Sequence, residues 1–174
     1  GEDYRYCSTN KRRKASHSCR VSRISERKKS TETIVTRDNN GYLVMKQDQL
    51  LKNHYKIIKL LGEGTRGRVA KCRDLKNQNS EVAVKVIKAV EKYRDAAVLE
   101  IKVLELIRKT NSHGRNLVIL AQDWFDYHGH MCIVFPLLGQ SLFDFQKANH
   151  YSPYPMRHVR LMTFQIVKAL EFLH

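Results

Sequence analysis

From Tyr55 onward the apolar positions alternate with polar ones, and then the period changes. "YKIIKLLGEG" and "GRVAKCRD" read as two strands meeting at a glycine turn, and "LKNQNS" is a turn cluster. In "EVAVKVIK" (81–88), Val82, Val84 and Val86 alternate with Ala83, Lys85 and Ile87, the two faces of a strand. In "YRDAAVLEIKVLELIRKT" (93–110) the spacing lengthens. Ala97, Ile101, Leu104 and Ile107 with Arg108 fall on one face, and Gly and Pro are absent. That predicts a helix of about four to five turns. "NSHGRN" is a loop. "LVILAQDWFDY" and "HMCIVF" form a second strand pair around "HGH". "SLFDFQKAN" is a short helix with Ser141 as N-cap, "YSPYP" breaks it, and "MRHVRLMTFQIVKALEFLH" is a long final helix. Successive strands joined by tight turns predict an α+β fold, a mostly antiparallel five-stranded sheet with one long helix against it.

Charge adds a boundary. The 174 residues carry a formal net charge of +15. Residues 1–36 hold ten Lys/Arg and four Asp/Glu and almost no aliphatic core material. We therefore divide the chain into a basic disordered tail (1–37), a linker that gains order (38–54) and a folded domain (55–174). The tail has two open readings: a solvated extension, or, through "KRRK" at 11–14, a nuclear-localisation signal. Cys7, Cys19, Cys72 and Cys132 are scattered and are expected to be free thiols. The spacing of Cys7, His17 and Cys19 is not a zinc pattern, so no metal site is expected there. No apolar stretch is long enough for a membrane span and no apolar leader is visible, so no membrane partner is expected. The tail lacks aromatic interleaving, so direct nucleic-acid binding is not expected.

"LGEGTRGRVAKC" (61–72) places glycines at 62, 64 and 67. A Walker A loop would need Gly-Lys-Ser/Thr leading into a helix, and a dinucleotide fingerprint would also need a helix after the glycines. A strand follows Gly67. What remains is a hairpin lid whose backbone N–H groups reach nucleotide phosphates. Lys85 lies on the next strand, and an inward lysine there needs a partner, because a buried ammonium is costly. Glu100, on the following helix, is the candidate.

These residues resemble the N-terminal lobe of a eukaryotic protein kinase. "VAVKVIKAVEKYRDAAVLEIKVLE" and "WFDYHGHMCIVFPLLGQSLFDF" resemble the CDC-like (LAMMER) kinases more narrowly. The resemblance covers about residues 38–174. It implies an N-lobe at 55–138 and the first helices of a truncated C-lobe at 139–174. It also implies roles. Leu61, Gly62, Gly64 and Gly67 would form the lid over ATP, and Val69 and Ala83 would sandwich the adenine. Lys85 would contact the α/β-phosphates and pair with Glu100. Phe135 would be the gatekeeper, and Pro136 to Leu138 the hinge. The Pro136 carbonyl and Leu138 N–H would meet the adenine edge, and Asp144 the ribose. The implied activity is ATP- and Mg²⁺-dependent Ser/Thr or dual-specificity protein phosphorylation. The implied substrates are Arg/Ser-rich splicing factors, and the implied location is nuclear, with the cytoplasm open as a second.

Two positions depart from the family pattern. Arg66 stands where an aromatic residue is usual, and Pro136 where glutamate is usual. Proline keeps the carbonyl and lacks only the N–H, so nucleotide binding should survive. The family's catalytic loop, with its base, and its metal-binding Asp-Phe-Gly do not occur in these residues, so the 174 residues alone are expected to be inactive. The final helix is apolar over most of its circumference, with Arg160, Thr163, Gln165, Lys168 and Glu171 as one narrow polar stripe. Such a helix belongs inside a larger core. The alternative reading is a non-catalytic nucleotide- or partner-binding module.

Overall fold

The computed structural model describes residues 36–111 and 116–174. The basic tail through residue 35 and the middle of the "NSHGRN" loop lie outside the described residues, and with them the "KRRK" cluster, Cys7, His17 and Cys19.

The elements run β1 (Leu50–Leu51), β2 (Tyr55–Gly64), β3 (Gly67–Asp74), β4 (Ser80–Ile87), α1 (Glu91–Thr110), β5 (Asp123–Tyr127), β6 (His130–Pro136), α2 (Leu142–Ala148) and α3 (Met156–Leu173). All strands join one sheet in the order β1-β2-β3-β4-β6-β5, with every pairing antiparallel. The alternation along β4 explains why the sheet carries a core on each face. Val82, Val84 and Val86 point one way, into a cluster with Leu43, Leu51, Tyr55, Ile57, Cys72, Phe125 and Val134. Ile87 points the other way and meets Ala97 and Ile101 of α1 together with Met131 and Ile133 of β6. Leu104 and Phe135 pack against that second cluster. The helix-facing side is where Lys85 also lies, and that placement builds the site.

α1 docks through the predicted face. Ala97 and Ile101 are its buried residues, Glu91 sits in its first turn, and Arg108 and Lys109 sit in its last. Both charge placements suit the helix dipole. Ser141 caps α2 as expected, its hydroxyl accepting from the Asp144 N–H at 3.0 Å. Cys72 and Cys132 are buried free thiols, and burial pushes the Cys72 thiol up to about 12 and raises that of Cys132. Such thiols pack as small apolar groups rather than react.

Three expectations need correction. The sheet has six strands, because Leu50–Leu51 adds a two-residue edge strand to β2. Residues 38–54 do more than link, since Tyr42, Leu43 and Leu51 are buried in the sheet's core. They lie in two short apolar runs, Tyr42–Met45 and Leu50–Leu51, too short to carry a period, so the sequence pattern passes over them. The strand expected over 117–127 begins only at Asp123. Leu117 has a positive φ of 55° and Ile119 is exposed. A continuous apolar run does not by itself specify a strand.

Candidate nucleotide site

The glycine hairpin is closed by Gly64 pairing with Gly67, with Thr65 and Arg66 as its two-residue turn. Its three glycines do different work. A Cβ on Gly67 would sit 2.3 Å from the Val86 carbonyl oxygen and 3.0 Å from the Ile87 Cα, so this glycine lets β3 lie close on β4. Nothing lies within 4 Å of the Cβ positions of Gly62 and Gly64. The chain's own packing does not require glycine at 62 and 64. The absence of a side chain there leaves bare backbone open to an incoming group. The register slips between Leu60 and Gly62, and pairing then resumes from Gly62–Val69 through Glu63–Arg68 to the turn.

Beneath the hairpin, Lys85 pairs in register with Val69 on β3 and Ile133 on β6. Its side chain therefore stands at the centre of the sheet on the helix side. Glu100 follows from the docking of Ala97 and Ile101, which turns the neighbouring carboxylate toward the sheet. Lys85 Nζ donates to Glu100 Oε1 at 2.6 Å, with both side chains under a third exposed. Gly62, Gly64, Gly67, Val69 and Lys85 line one cleft of about 500 Å³, together with Glu63, Thr65 and Arg66. An ammonium below, backbone N–H groups above and a second cation at the turn suit a phosphate chain. Glu100 holds the ammonium in place without closing the cleft.

The remaining expected residues are placed less directly, and Leu61, Ala83, Phe135, Pro136, Leu138 and Asp144 do not line this cleft. Leu61 is half exposed on the lid strand. Ala83 pairs with Phe135, so the two expected adenine neighbours are adjacent across β4 and β6. Pro136 ends β6 opposite Val82. Leu138 follows on an exposed segment. Asp144 is engaged in its own helix cap, where the Ser141 hydroxyl donates to its carboxylate at 2.5 Å. A ribose would have to share that carboxylate. Among the described residues no three His, Cys, Asp or Glu side chains gather to hold a metal.

Sequence reasoning missed the residues that hold the hairpin from its outer side. Arg68 Nε donates to Glu63 Oε2 at 2.6 Å and Arg68 Nη2 lies 3.1 Å from Asp38 Oδ2. The Glu63 hydrogen bond raises the Arg68 guanidinium further above its ordinary value. Burial would raise the Asp38 carboxyl, but the N–H groups of Tyr42 and Asn40 and the charge of Arg68 hold it below the usual range. The contact joins Asp38 to a residue 30 positions ahead, and nothing in the local pattern of "DNNGYL" signals it.

The family described as "Protein kinase domain" matches residues 55–174. Dual specificity protein kinase CLK2 of Mus musculus is 50% identical over 150 residues, 86% of this chain and 29% of that protein. CLK2 of Homo sapiens is 51% identical over 137 residues, 79% of this chain and 28% of that protein. Serine/threonine-protein kinase Doa of Drosophila melanogaster is 46% identical over 145 residues, 83% of this chain and 17% of that protein. The chain thus spans less than a third of the length of these relatives.

Proposed function

The chain belongs to the protein kinase domain family, on its CDC-like branch, and from that premise we propose that the protein transfers the γ-phosphoryl group of ATP to protein hydroxyls. Serine and threonine are the acceptors, with tyrosine in addition if it shares the dual specificity for which its CLK2 relatives are named. The observation that carries this reading is the Lys85–Glu100 pair at 2.6 Å beneath an open glycine hairpin. Lys85 would hold the α- and β-phosphates, and Glu100 would hold Lys85. The backbone of Gly62 and Gly64 would close over the phosphates, while Ala83, Val69 and Phe135 would flank the base. ATP supplies the phosphoryl group. Positioning and charge neutralisation are what these residues contribute. The family's metal-binding Asp-Phe-Gly and its catalytic loop do not occur among the described residues.

The proposed substrates are Arg/Ser-rich splicing factors and the proposed location is the nucleus, with "KRRK" at 11–14 as the import signal. The test uses a longer form of the protein that includes a catalytic loop, with an Arg/Ser peptide as acceptor. Lys85→Met or Glu100→Gln should each lower turnover by orders of magnitude, because each leaves a charge at the phosphates without its partner. Near wild-type turnover by either variant would overturn the assignment. Nucleotide binding without any transfer would turn the reading to a non-catalytic module.

A further inference from the structure

The segment just before the sheet does more than fill the core. Tyr42 belongs to no strand, yet its ring is buried and its hydroxyl donates to the Gly64 carbonyl at 2.9 Å. Gly64 is the last residue before the hairpin turn. The ring lies between two cations, with Arg68 Cζ 4.5 Å and Lys88 Nζ 3.9 Å from its centroid. Arg68 also donates to the Leu43 carbonyl at 3.1 Å, and the Asp38 carboxylate accepts from the N–H of Tyr42 at 2.9 Å. One residue earlier, the Gly41 carbonyl accepts from the Ala89 N–H at 3.1 Å. Gly41 has φ +79°, and a Cβ on it would press on Val90 at 3.3 Å, so glycine suits both the backbone and the fit. Val90 is the N-cap of α1. At the other end, Arg37 donates to the His128 carbonyl at 2.5 Å, fixing the segment to the β5–β6 turn.

We propose that residues 37–44 are a strap that fixes the glycine hairpin relative to the helix bearing Glu100, and that Tyr42 is a positioning residue for the lid. The circuit is closed. The hairpin tip is bonded to Tyr42, Gly41 beside it is bonded to Ala89, Ala89 leads into α1, and α1 delivers Glu100 to Lys85. The Lys88 N–H donates to the Arg66 carbonyl at 3.0 Å and ties the turn to the same connector. A lid with open space at Gly62 and Gly64 has little side-chain packing of its own there. An external tie is what keeps its N–H groups aimed at the cleft before any phosphate arrives. The role in nucleotide binding rests on the kinase reading above. The strap itself rests on geometry alone.

The test is amide hydrogen exchange on the chain with Tyr42→Phe, which removes the hydroxyl and keeps the ring. Tyr127→Phe is the control. Tyr127 is buried to the same degree as Tyr42, and its hydroxyl meets Gln49 rather than the lid. One hydrogen bond lost from a local opening equilibrium should speed exchange at residues 62–68 by about two- to tenfold. The rest of the sheet should be unchanged, as should the whole of the Tyr127→Phe chain. ADP affinity should fall by a similar factor in Tyr42→Phe alone. Unchanged exchange at 62–68, or equal acceleration throughout the sheet, would overturn the strap. A wild-type chain that binds no ADP would instead overturn the nucleotide reading, and the exchange result would still decide the strap.

Discussion

The sheet with α1 and the α2–α3 segment use similar apolar residues to opposite ends. In the sheet, both faces are covered, one by the strap and by the strand side chains that fill its core, the other by α1. In α2 and α3 no residue is buried. Leu161, Phe164, Ile166 and Val167 are each more than half exposed. An apolar stripe tells where a helix wants cover and does not tell what supplies it. The site falls on the side of the molecule that is closed upon itself. Lys85, Glu100 and the hairpin are positioned without help from the helices that follow.

The largest expected effect breaks the comparison by removing one member. The apolar side chains of α3 are worth about 1.5–3 kcal/mol each when fully buried. Several left uncovered forgo a sum comparable with the net stability of a domain, about 5–15 kcal/mol. The 174-residue chain should therefore self-associate and bind a hydrophobic dye, and a chain ending at Asn149 should scatter less light at equal concentration. A cleaner monomer from the longer chain would mean that α3 finds cover within it.

Next in size is a split among the glycines. Gly67→Ala drives a methyl group into the β4 backbone and should cost roughly 3 kcal/mol, at the upper end of overpacking losses. Gly62→Ala and Gly64→Ala meet open space and should leave the unfolding midpoint within the range of surface changes, about 0.5 kcal/mol. Denaturant unfolding of the three variants checks this. Equal losses at all three positions would erase the distinction between the fold-bearing and ligand-facing glycines.

The smallest effect concerns His130, wholly buried in the sheet half, with its Nδ1 2.8 Å from the Ile87 carbonyl and no partner at Nε2. Burial depresses its proton affinity below the ordinary histidine value, outweighing the bond to Ile87. In the folded chain this imidazole therefore stays neutral where in the unfolded chain it takes up a proton. That contribution is intact above about pH 6.5 and is lost as pH falls from there toward the depressed folded value. The thermal midpoint should drop over that window, and His130→Gln should flatten the drop. An unchanged slope would place the titration elsewhere.

The sequence announced the sheet body well where period and turn chemistry agreed. β3 begins and ends as "GRVAKCRD" implied, α1 presents Ala97 and Ile101 as its spacing required, and Ser141 caps α2. The Lys85–Glu100 pair was legible because a lysine on a core strand face creates a need that one nearby carboxylate can meet. The strap was not legible. Tyr42 and Leu43 open the four-residue apolar run Tyr42–Met45 and Leu51 follows Leu50, runs too short to show a period, and their burial depends on partners far along the chain. The positions of Leu138 and Asp144 relative to a nucleotide rest on the resemblance, since the cleft is not lined by either.

The central claim is that the hairpin and Lys85 form a nucleotide phosphate site. The most direct measurement is a titration of ADP into the isotopically labelled chain, in whichever of the 1–174 and 1–149 lengths is monomeric, followed by backbone amide NMR. The account predicts shifts concentrated at Gly62–Val69, Ala83–Lys85 and Leu137–Leu138, and their loss or marked weakening in Lys85→Met. No shifts at those amides, or the same shifts in Lys85→Met as in the wild type, would contradict it.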